Sequence, residues 1–475
     1  MKQEWIDAYL DVHWDEMVEA MKTLMRIPSV SSEAEGEYPF GKNCADVLDA
    51  ALEMGRKMGM DIQNDDYYGG SILMPGEKPE EIGIFAHLDV VPEGTGWIRP
   101  PYAPYVRDNW LFGRGGADDK GAAVLALYAM DCVKQSGVLP KRTVRLYLGC
   151  SEECGMKDIS AYLERHAPPA FSFVPDASFS VCYAEKGICE LELSADAPRK
   201  LSRYDAGTVS NAVAGLARAD FAGQAPAFDE KRWPHVCVMQ NEKGFTVEAA
   251  GRSSHAAFPE TSVNASAMLA EFIIENGLVD SEDEKTLRFL SECFRPFYGE
   301  KLGIAFETPE MGKLTAIGGT TRMKNGRLIQ NVNIRYPKGV DKEWIERHVT
   351  QTAKAYGWTM CSIKDDPPSY ISSDNPTIQA LNALSTKYVG ETGGPYCMGG
   401  GTYARHLPRA VAFGPGIRGL KKPCEPGHGG GHQPDECVSL ELLRKAFYVY
   451  AEAILKIDET LDSGVFETHP PERFL

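Results

Sequence analysis

The sequence contains no run of about 18 apolar residues, the length that a membrane-spanning helix requires. It is also poor in basic residues, with 50 Lys and Arg against 67 Asp and Glu, which leaves a formal net charge of −17 with His neutral. A chain of this charge repels nucleic-acid phosphate and anionic lipid surfaces. The composition therefore predicts neither a nucleic-acid partner nor a membrane partner.

The N-terminal segment lacks the pattern of an export signal. Residues 1–21 mix acidic with apolar residues and have neither a basic n-region nor a continuous apolar h-region. The 12 cysteines are scattered from Cys44 to Cys437 without the spacing of a zinc knuckle. We therefore expect reduced thiols and a cytoplasmic protein.

What the chain does contain is typical of a large globular protein. Its 475 residues are 43% hydrophobic and 25% charged, and at ~100 to 200 residues per domain this length indicates two or three domains. Up to Lys186, strand-like runs alternate with helical ones, which predicts an α/β fold with a mixed, mostly parallel sheet between helices. The main elements expected there are a helix at 5–26, strands at 82–86, 143–148 and 171–174, and helices at 121–135 and 156–166.

The pattern changes after Lys186. Runs with alternating faces indicate strands, and they are mixed with helical stretches before a Pro-rich segment near Asp365. We therefore predict a discontinuous α/β domain, 1–186 and 369–475, interrupted by an α+β insert, 187–368. The expected strands of the insert include 188–193, 236–239, 244–249 and 328–336, and its expected helices are 264–276 and 342–356.

Acidic and imidazole side chains follow three predicted strands, and others lie on a Gly-rich loop that opens a helix. Because the carboxyl ends of parallel strands meet at one sheet edge, where such sheets bind ligands, we expect these side chains to be neighbours. A single acid is usually a solvated surface group, but this many at one edge repel one another unless cations are present. Two divalent ions sharing a bridging Asp would neutralise most of this charge, and imidazole with carboxylate suits zinc, with cobalt or manganese as substitutes. The side chains concerned are His87, Asp89, Asp118, Asp119, Glu152, Glu153 and Asp176.

Three of the ten histidines lie on segments rich in Gly, Pro or Ser, where packing gives no reason for an imidazole. They are His255, in GRSSHAAFPE, and His428 and His432, in EPGHGGGHQPDE. From the residues alone, a functional role and an incidental one remain open for each.

Six motifs, in chain order, resemble those of the di-zinc exopeptidases that include aminoacylase, carnosinase, glutamate carboxypeptidase and succinyl-diaminopimelate desuccinylase. They are HLD, GRGGADDKG, SEE, PDAS, GRSSHAAFP and HQPDE, and they span nearly the whole chain. Within that superfamily, GGGTYAR, NIRYP and the long insert resemble the bacterial dipeptidases of the peptidase V type. The resemblance implies a catalytic domain made of 1–186 and 369–475, with 187–368 as a lid domain.

The resemblance also implies the metal ligands. His87 and Asp176 would bind one zinc, Glu153 and His432 the other, and Asp118 would bridge the two ions. Among the catalytic residues, Glu152 would be the general base, and Asp89 would accept a hydrogen bond from the second nitrogen of His87. His255 and Asn211 would stabilise the tetrahedral oxyanion, while Arg335 and the backbone N–H of Gly401 would hold the substrate carboxylate.

The implied activity is hydrolysis of dipeptides with a free N-terminus by a monomeric metallopeptidase whose insert supplies His255 within one chain. Two alternatives remain open: an N-acyl-amino-acid deacylase or desuccinylase with the same metals, and a non-enzymatic binding protein on the same fold. The segment 414–431 departs from the family pattern, because it is long and adds His428 four residues before His432. Its cations Arg418, Lys421 and Lys422 are either solvated or favour acidic substrates.

Overall fold

The computed structural model describes residues 3–462, which form two compact units. The first unit comprises 3–184, 370–396 and 401–462, and the second comprises 185–369 and 397–400. The domain division predicted from the sequence, at 186/187 and 368/369, stays a prediction. Its last segment, 369–475, extends beyond the described residues. No helix within 3–462 combines the length and the hydropathy needed to cross a membrane.

Up to the start of the second unit, the first unit contains two helices, then five strands, and then helices that alternate with strands. In chain order its elements are α1 (Gln3–Met25), α2 (Lys42–Lys57), β1 (Asp61–Asn64), β2 (Gly69–Met74), β3 (Lys78–His87), β4 (Tyr105–Arg107), β5 (Trp110–Phe112), α3 (Lys120–Gln135), β6 (Arg142–Gly149), α4 (Lys157–Arg165), β7 (Phe171–Val174), β8 (Ala177–Phe179) and β9 (Val181–Glu185).

The second unit is built around one sheet, as the alternating strand patterns of the insert predict. Its elements are β10 (Gly187–Asp196), β11 (Leu201–Ala206), β12 (Leu216–Phe221), β13 (Val236–Asn241), β14 (Gly244–Ala250), α5 (Ala265–Glu275), α6 (Ser281–Cys293), β15 (Glu307–Thr308), β16 (Gly312–Lys313), β17 (Thr315–Lys324), β18 (Arg327–Tyr336), α7 (Lys342–Ala355) and β19 (Thr359–Asp366). The sheet order is β13-β14-β12-β11-β17-β18-β10-β19, with antiparallel pairing. The helices α5, α6 and α7 pack their apolar side chains against it around Phe272, Leu290 and Val349.

The chain then returns to the first unit, apart from residues 397–400, which belong to the second. The remaining elements are β20 (Ser369–Tyr370), α8 (Pro376–Tyr388), β21 (Tyr396–Met398), β22 (Ala410–Phe413), β23 (Pro415–Ile417), β24 (Cys437–Ser439) and α9 (Leu440–Leu461). The main sheet of this unit runs β1-β2-β6-β3-β7-β22-β9-β20. Strands β6, β3, β7 and β22 are parallel neighbours, while β1, β2 and β9 pair antiparallel at the flanks. The predicted mixed sheet is therefore confirmed, with its parallel pairs at the centre.

Side chains of β3 show why this sheet lies between two layers. Ile82 and Ile84 pack into the core formed with α1, α3 and α9, whereas Phe85 points to the opposite face and contacts Tyr147 and Tyr162. Successive strand residues face opposite sides, so a strand apolar at consecutive positions is buried on both. The main parallel strands consequently have only their ends available for polar chemistry.

Candidate metal centre

The predicted acidic edge exists, and strand register explains it. His87, the last residue of β3, pairs with Gly149, the last residue of β6, and β7 is parallel to β3 on the other side. All three strands therefore end at the same edge. A short 3₁₀ turn after β6 presents Glu152 and Glu153, and Asp176 follows β7 by two residues.

Asp118 lies at the centre of this edge. Its Oδ1 is 3.0 Å from His87 Nε2, and its Oδ2 is 3.3 Å from His432 Nε2. On the first side, Asp176 Oδ2 is 3.9 Å from His87 Nε2; on the second, Glu153 Oε1 is 3.2 Å from His432 Nε2. The two oxygens of the Asp118 carboxylate thus face two separate pairs of possible metal ligands. This is the arrangement expected of a ligand that bridges two ions.

These side chains form overlapping groups that could hold metal ions. Within 3–462, three triads keep their ligand atoms within 4.8 Å of one another. They are His87 with Asp118 and Asp176, Asp118 with Glu153 and His432, and His87 with Glu152 and Glu153. Asp119 is buried beside this cluster, and its Oδ2 accepts a hydrogen bond from the backbone N–H of His87 at 3.3 Å.

The electrostatics of the cluster favour positive charge. The neighbouring carboxylates of Asp118 and Glu153 raise the pKa of His432 to about 10. Burial raises the pKa of Glu152 well above its ordinary value, and the nearby charges of Asp176, Glu153 and Asp118 add to the effect. If no other cation is bound, protons on these groups would have to reduce the repulsion between the carboxylates.

Asp89 contacts both His87 and the glutamate turn. His87 Nδ1 lies 3.0 Å from the backbone carbonyl of Asp89 and 3.4 Å from its carboxylate. The carboxylate accepts hydrogen bonds from the backbone N–H groups of Glu152 and Glu153, both at 3.1 Å. Asp89 therefore orients the His87 ring through its carbonyl, and positions the glutamate turn through its side chain.

Glu436, which the sequence motifs do not mark as a site residue, holds the loop that carries Asp118. Its buried carboxylate accepts hydrogen bonds from the backbone N–H groups of Gly115, Ala117 and Asp118 at 2.8 to 3.1 Å. It also pairs with the buried Arg114 at 2.8 Å, and Arg114 donates to the backbone carbonyl of Gly431, beside His432. The only sequence signal was its position as the last residue of the HQPDE motif.

A second buried carboxylate, Asp158, holds the segment that leads into the glutamate turn. It accepts from the backbone N–H groups of Cys150 and Ser151, each at 2.7 Å, and from the hydroxyl of Tyr403. Burial raises its pKa to about 6. A side chain at Gly149 would collide with Tyr403 and Asp158, so the end of β6 needs a glycine for this approach.

The loop bearing His432 approaches Asp118 closely. A Cβ on Gly431 would lie 2.6 Å from Asp118 Oδ2, so a side chain at this position would displace the carboxylate. Of the two histidines left open in this segment, His432 faces the cluster. His428 instead places its Nδ1 2.6 Å from Asp435 Oδ2.

The remaining implied residues lie elsewhere in the fold. Asn211 and His255 are close together in the second unit, where the backbone carbonyl of Asn211 accepts from the N–H of Ala256 at 2.9 Å. Arg335, also in the second unit, is buried, and it donates to Asn333 at 2.8 Å and to the carbonyl of Gly399 at 3.0 Å.

Gly401 belongs to the first unit, where the guanidinium of Arg405 occupies the space a side chain at 401 would need.

Two of the three cations in the segment 414–431 have local partners. Arg418 stacks on the Tyr396 ring at 4.0 Å and donates to the carbonyl of Thr392 at 3.1 Å, and Lys422 donates to the carbonyl of Gly429. These contacts hold the segment to its own unit. The expected preference for acidic substrates stays a prediction.

Comparison with known proteins identifies the family. The model of Peptidase family M20/M25/M40 matches residues 83–456, a range that includes every side chain of the cluster. The chain belongs to this family and is a metallopeptidase. The resemblance to the di-zinc exopeptidases is thereby confirmed.

Individual relatives cover almost the whole chain. It is 30% identical to the putative dipeptidase YtjP of Bacillus subtilis (strain 168), over 93% of this chain and 97% of the relative. It is 29% identical to the Beta-Ala-Xaa dipeptidase of Lactobacillus delbrueckii subsp. lactis, over 95% of this chain and 100% of the relative. Human carnosine dipeptidase 1 shares the fold, with a TM-score of 0.54 and 14% identity over 96% of this chain and 99% of that one.

The Glu436 contacts generate a prediction. Glu436→Gln removes the charge that holds three backbone N–H groups and Arg114, so the loop carrying Asp118 should lose its fixed position. We expect the dissociation constant for zinc to rise ~10 to 100-fold, as for other residues that orient metal ligands. Competition with a chromophoric chelator measures this constant.

Asp435→Asn is the matched control. Asp435 is the adjacent residue but binds Ile98 N and His428, away from the Asp118 loop. Its zinc affinity should stay within about twofold of wild type, well below the loss expected for the Glu436 variant. Equal affinities in the two variants would contradict the role given to Glu436.

Proposed function

We propose that this chain is a metal-dependent dipeptidase that hydrolyses the peptide bond of dipeptides with a free N-terminus. The observation that carries the proposal is the position of Asp118, whose two oxygens face His87 and His432 separately. The names of the two relatives, a putative dipeptidase and a Beta-Ala-Xaa dipeptidase, support the substrate class.

Two zinc ions fit the residues present, with cobalt or manganese as substitutes. The donor set of two imidazoles and three carboxylates suits these metals. In addition, Glu153 Oε1 is buried and receives no well-directed hydrogen bond within 3–462, so a bond to a cation would satisfy it. His87 and Asp176 would hold one ion, Glu153 and His432 the other, and Asp118 both.

Glu152 is the proposed general base. When bound, the metal pair would polarise the peptide carbonyl and lower the pKa of the attacking water. Glu152 is adjacent to Glu153 but is left over once the five ligands are assigned, so its carboxylate is available to take the water's proton. It then delivers this proton to the leaving amine. Asp89 serves both glutamates by fixing the backbone of their turn.

The proposed substrate contacts follow from the family motifs. His255 and Asn211 would stabilise the oxyanion, and the short distance between their backbones is compatible with a shared role. Arg335, with the N–H of Gly401, would bind the substrate carboxylate. The buried guanidinium of Arg335 is already oriented by Asn333 and Gly399, which reduces the entropy lost on binding.

The main alternative is an N-acyl-amino-acid deacylase or desuccinylase with the same metals. A dipeptidase recognises a free ammonium, whereas a deacylase recognises an acyl group. The names of the relatives favour the dipeptidase. A monomeric state and a cytoplasmic location belong to the same proposal.

A substrate panel tests the activity. Each dipeptide is paired with its N-acetylated or N-succinylated counterpart, and hydrolysis is followed in metal-stripped protein with and without zinc, cobalt or manganese. We expect hydrolysis of free dipeptides that a chelator abolishes and metal restores. Preference for the acylated series would favour the deacylase, and full activity after stripping would exclude the metal mechanism.

Adjacent glutamates allow a paired test of base and ligand. Glu152→Gln keeps the size of the side chain but removes the base, so kcat should fall ~100-fold or more while zinc content stays near wild type. Glu153→Gln removes a charged ligand, so zinc affinity should fall. Activity and metal content measured on the same preparations distinguish the two, and the opposite pattern would mean that the roles are exchanged.

Mixing two variants tests whether the protein is a monomer in which His255 acts within its own chain. Glu152→Gln and His255→Ala chains, each inactive, are mixed and assayed, with light scattering on the mixture to give the oligomeric state. We expect monomers and no activity above the sum of the separate samples. Restored activity would show instead that a partner chain supplies the histidine.

A further inference from the structure

Two cysteines outside the candidate metal centre lie side by side. Cys424 Sγ and Cys437 Sγ are 3.7 Å apart, and both residues carry free thiols. Cys424 is half-buried in the segment 414–431, whereas Cys437 is buried at the start of β24. The proposed hydrolysis uses neither thiol.

The geometry allows a bond with a small movement. A disulfide requires sulfurs about 2.0 Å apart, so one sulfur has to move by roughly 1.7 Å. Cys437 is held by pairing with Phe112 in β5 and by its N–H bond to the carbonyl of Gly429 at 3.2 Å. The residues on either side of Cys424, Pro423 and Glu425, are exposed, so Cys424 is the partner that can shift.

We propose that Cys424 and Cys437 form a reversible disulfide when the protein meets hydrogen peroxide, and that this bond restrains the segment carrying His432. The bond closes a ring of residues 424–437, which contains Gly431 and His432. Backbone hydrogen bonds already tie this ring together, from Gly429 N to the carbonyl of Pro434 at 2.9 Å and from Cys437 N to that of Gly429. The covalent link would add to these non-covalent contacts and further limit the opening of the segment.

The chemistry balances with peroxide as the oxidant. The Cys424 thiolate attacks one peroxide oxygen, so an S–O bond forms, the O–O bond breaks and the departing hydroxide takes up a proton to become water. The Cys437 sulfur then attacks Cys424 Sγ, so that the S–S bond forms and the S–O bond breaks. The departing hydroxide takes up the Cys437 proton and leaves as a second water. Two thiols and one peroxide give one disulfide and two waters, and the sulfurs together lose two electrons.

Accessibility assigns the order of the two sulfurs. Cys424 is the more exposed, and burial together with the neighbouring Cys424 raises the pKa of the Cys437 thiol to about 12. Cys424 is therefore the sulfur that meets peroxide, and Cys437 is the one that resolves the sulfenic acid.

Peptide mapping tests the bond directly. After peroxide treatment, free thiols are blocked with N-ethylmaleimide and the protein is digested with trypsin. Cleavage after Lys421, with the Lys422–Pro423 bond resistant, gives the peptide 422–444, which contains Cys424 and Cys437 and no other cysteine. We expect this peptide to carry no maleimide and to be about 2 Da lighter than its dithiol form. Dithiothreitol should restore the two thiols.

Matched controls accompany the mapping. The Cys424→Ser and Cys437→Ser variants should each keep one thiol in peptide 422–444 and form no cross-link. Cys44 and Cys150 lie next to each other but are buried, and both should remain thiols throughout. Oxidation of the exposed Cys154 or Cys361 while peptide 422–444 keeps two thiols would overturn the proposal.

A second experiment tests the restraint on His432. It rests on the proposed metal centre, whereas the peptide mapping does not. Zinc-loaded protein, oxidised or reduced, is mixed with a chromophoric chelator, and the rate of zinc release is followed. We expect slower release from the oxidised wild type and no effect of peroxide in Cys437→Ser. Equal rates in a cross-linked protein would overturn the restraint, and a protein that binds no zinc would instead contradict the proposed function.

Discussion

Repulsion between the carboxylates around Asp118 is the constraint on which the rest of the site depends. Asp118, Glu152, Glu153 and Asp176 come together at the edge where the parallel strands end. The imidazoles of His87 and His432 are directed at the same carboxylate, and the negative charge raises the pKa of His432 to about 10. Bound cations would reduce this repulsion, and divalent cations held here could also supply the chemistry of hydrolysis.

Buried carboxylates outside the cluster hold the backbone that presents the ligands. Asp89 binds the N–H groups of the glutamate turn, Asp158 binds the two residues before it, and Glu436 binds the loop of Asp118. Each accepts several N–H donors, so its desolvation is offset by hydrogen bonds. Arg114 links the Asp118 loop to the carbonyl of Gly431 and thereby joins segments more than 300 residues apart in sequence.

Helices and strands could be predicted from the sequence where the pattern of apolar residues was local. The apolar run at 82–86 and the Ala- and Leu-rich stretch at 121–135 predicted β3 and α3 closely, because a buried strand and a buried helix leave periodic traces. The side chains of the cluster could be found because they follow predicted strands. Glu436 and Asp158 could not be distinguished from surface acids, since their partners are backbone N–H groups brought close only by the tertiary fold.

The bridging position of Asp118 is the central claim, and electron paramagnetic resonance of the manganese form tests it most directly. Metal-stripped protein is reconstituted with two equivalents of Mn²⁺ and measured at low temperature. Two ions that share the Asp118 carboxylate are close enough for their spins to couple, so the account predicts an exchange-coupled multiline spectrum that is lost in Asp118→Asn. An uncoupled six-line spectrum in the wild type, unchanged by that substitution, would contradict it.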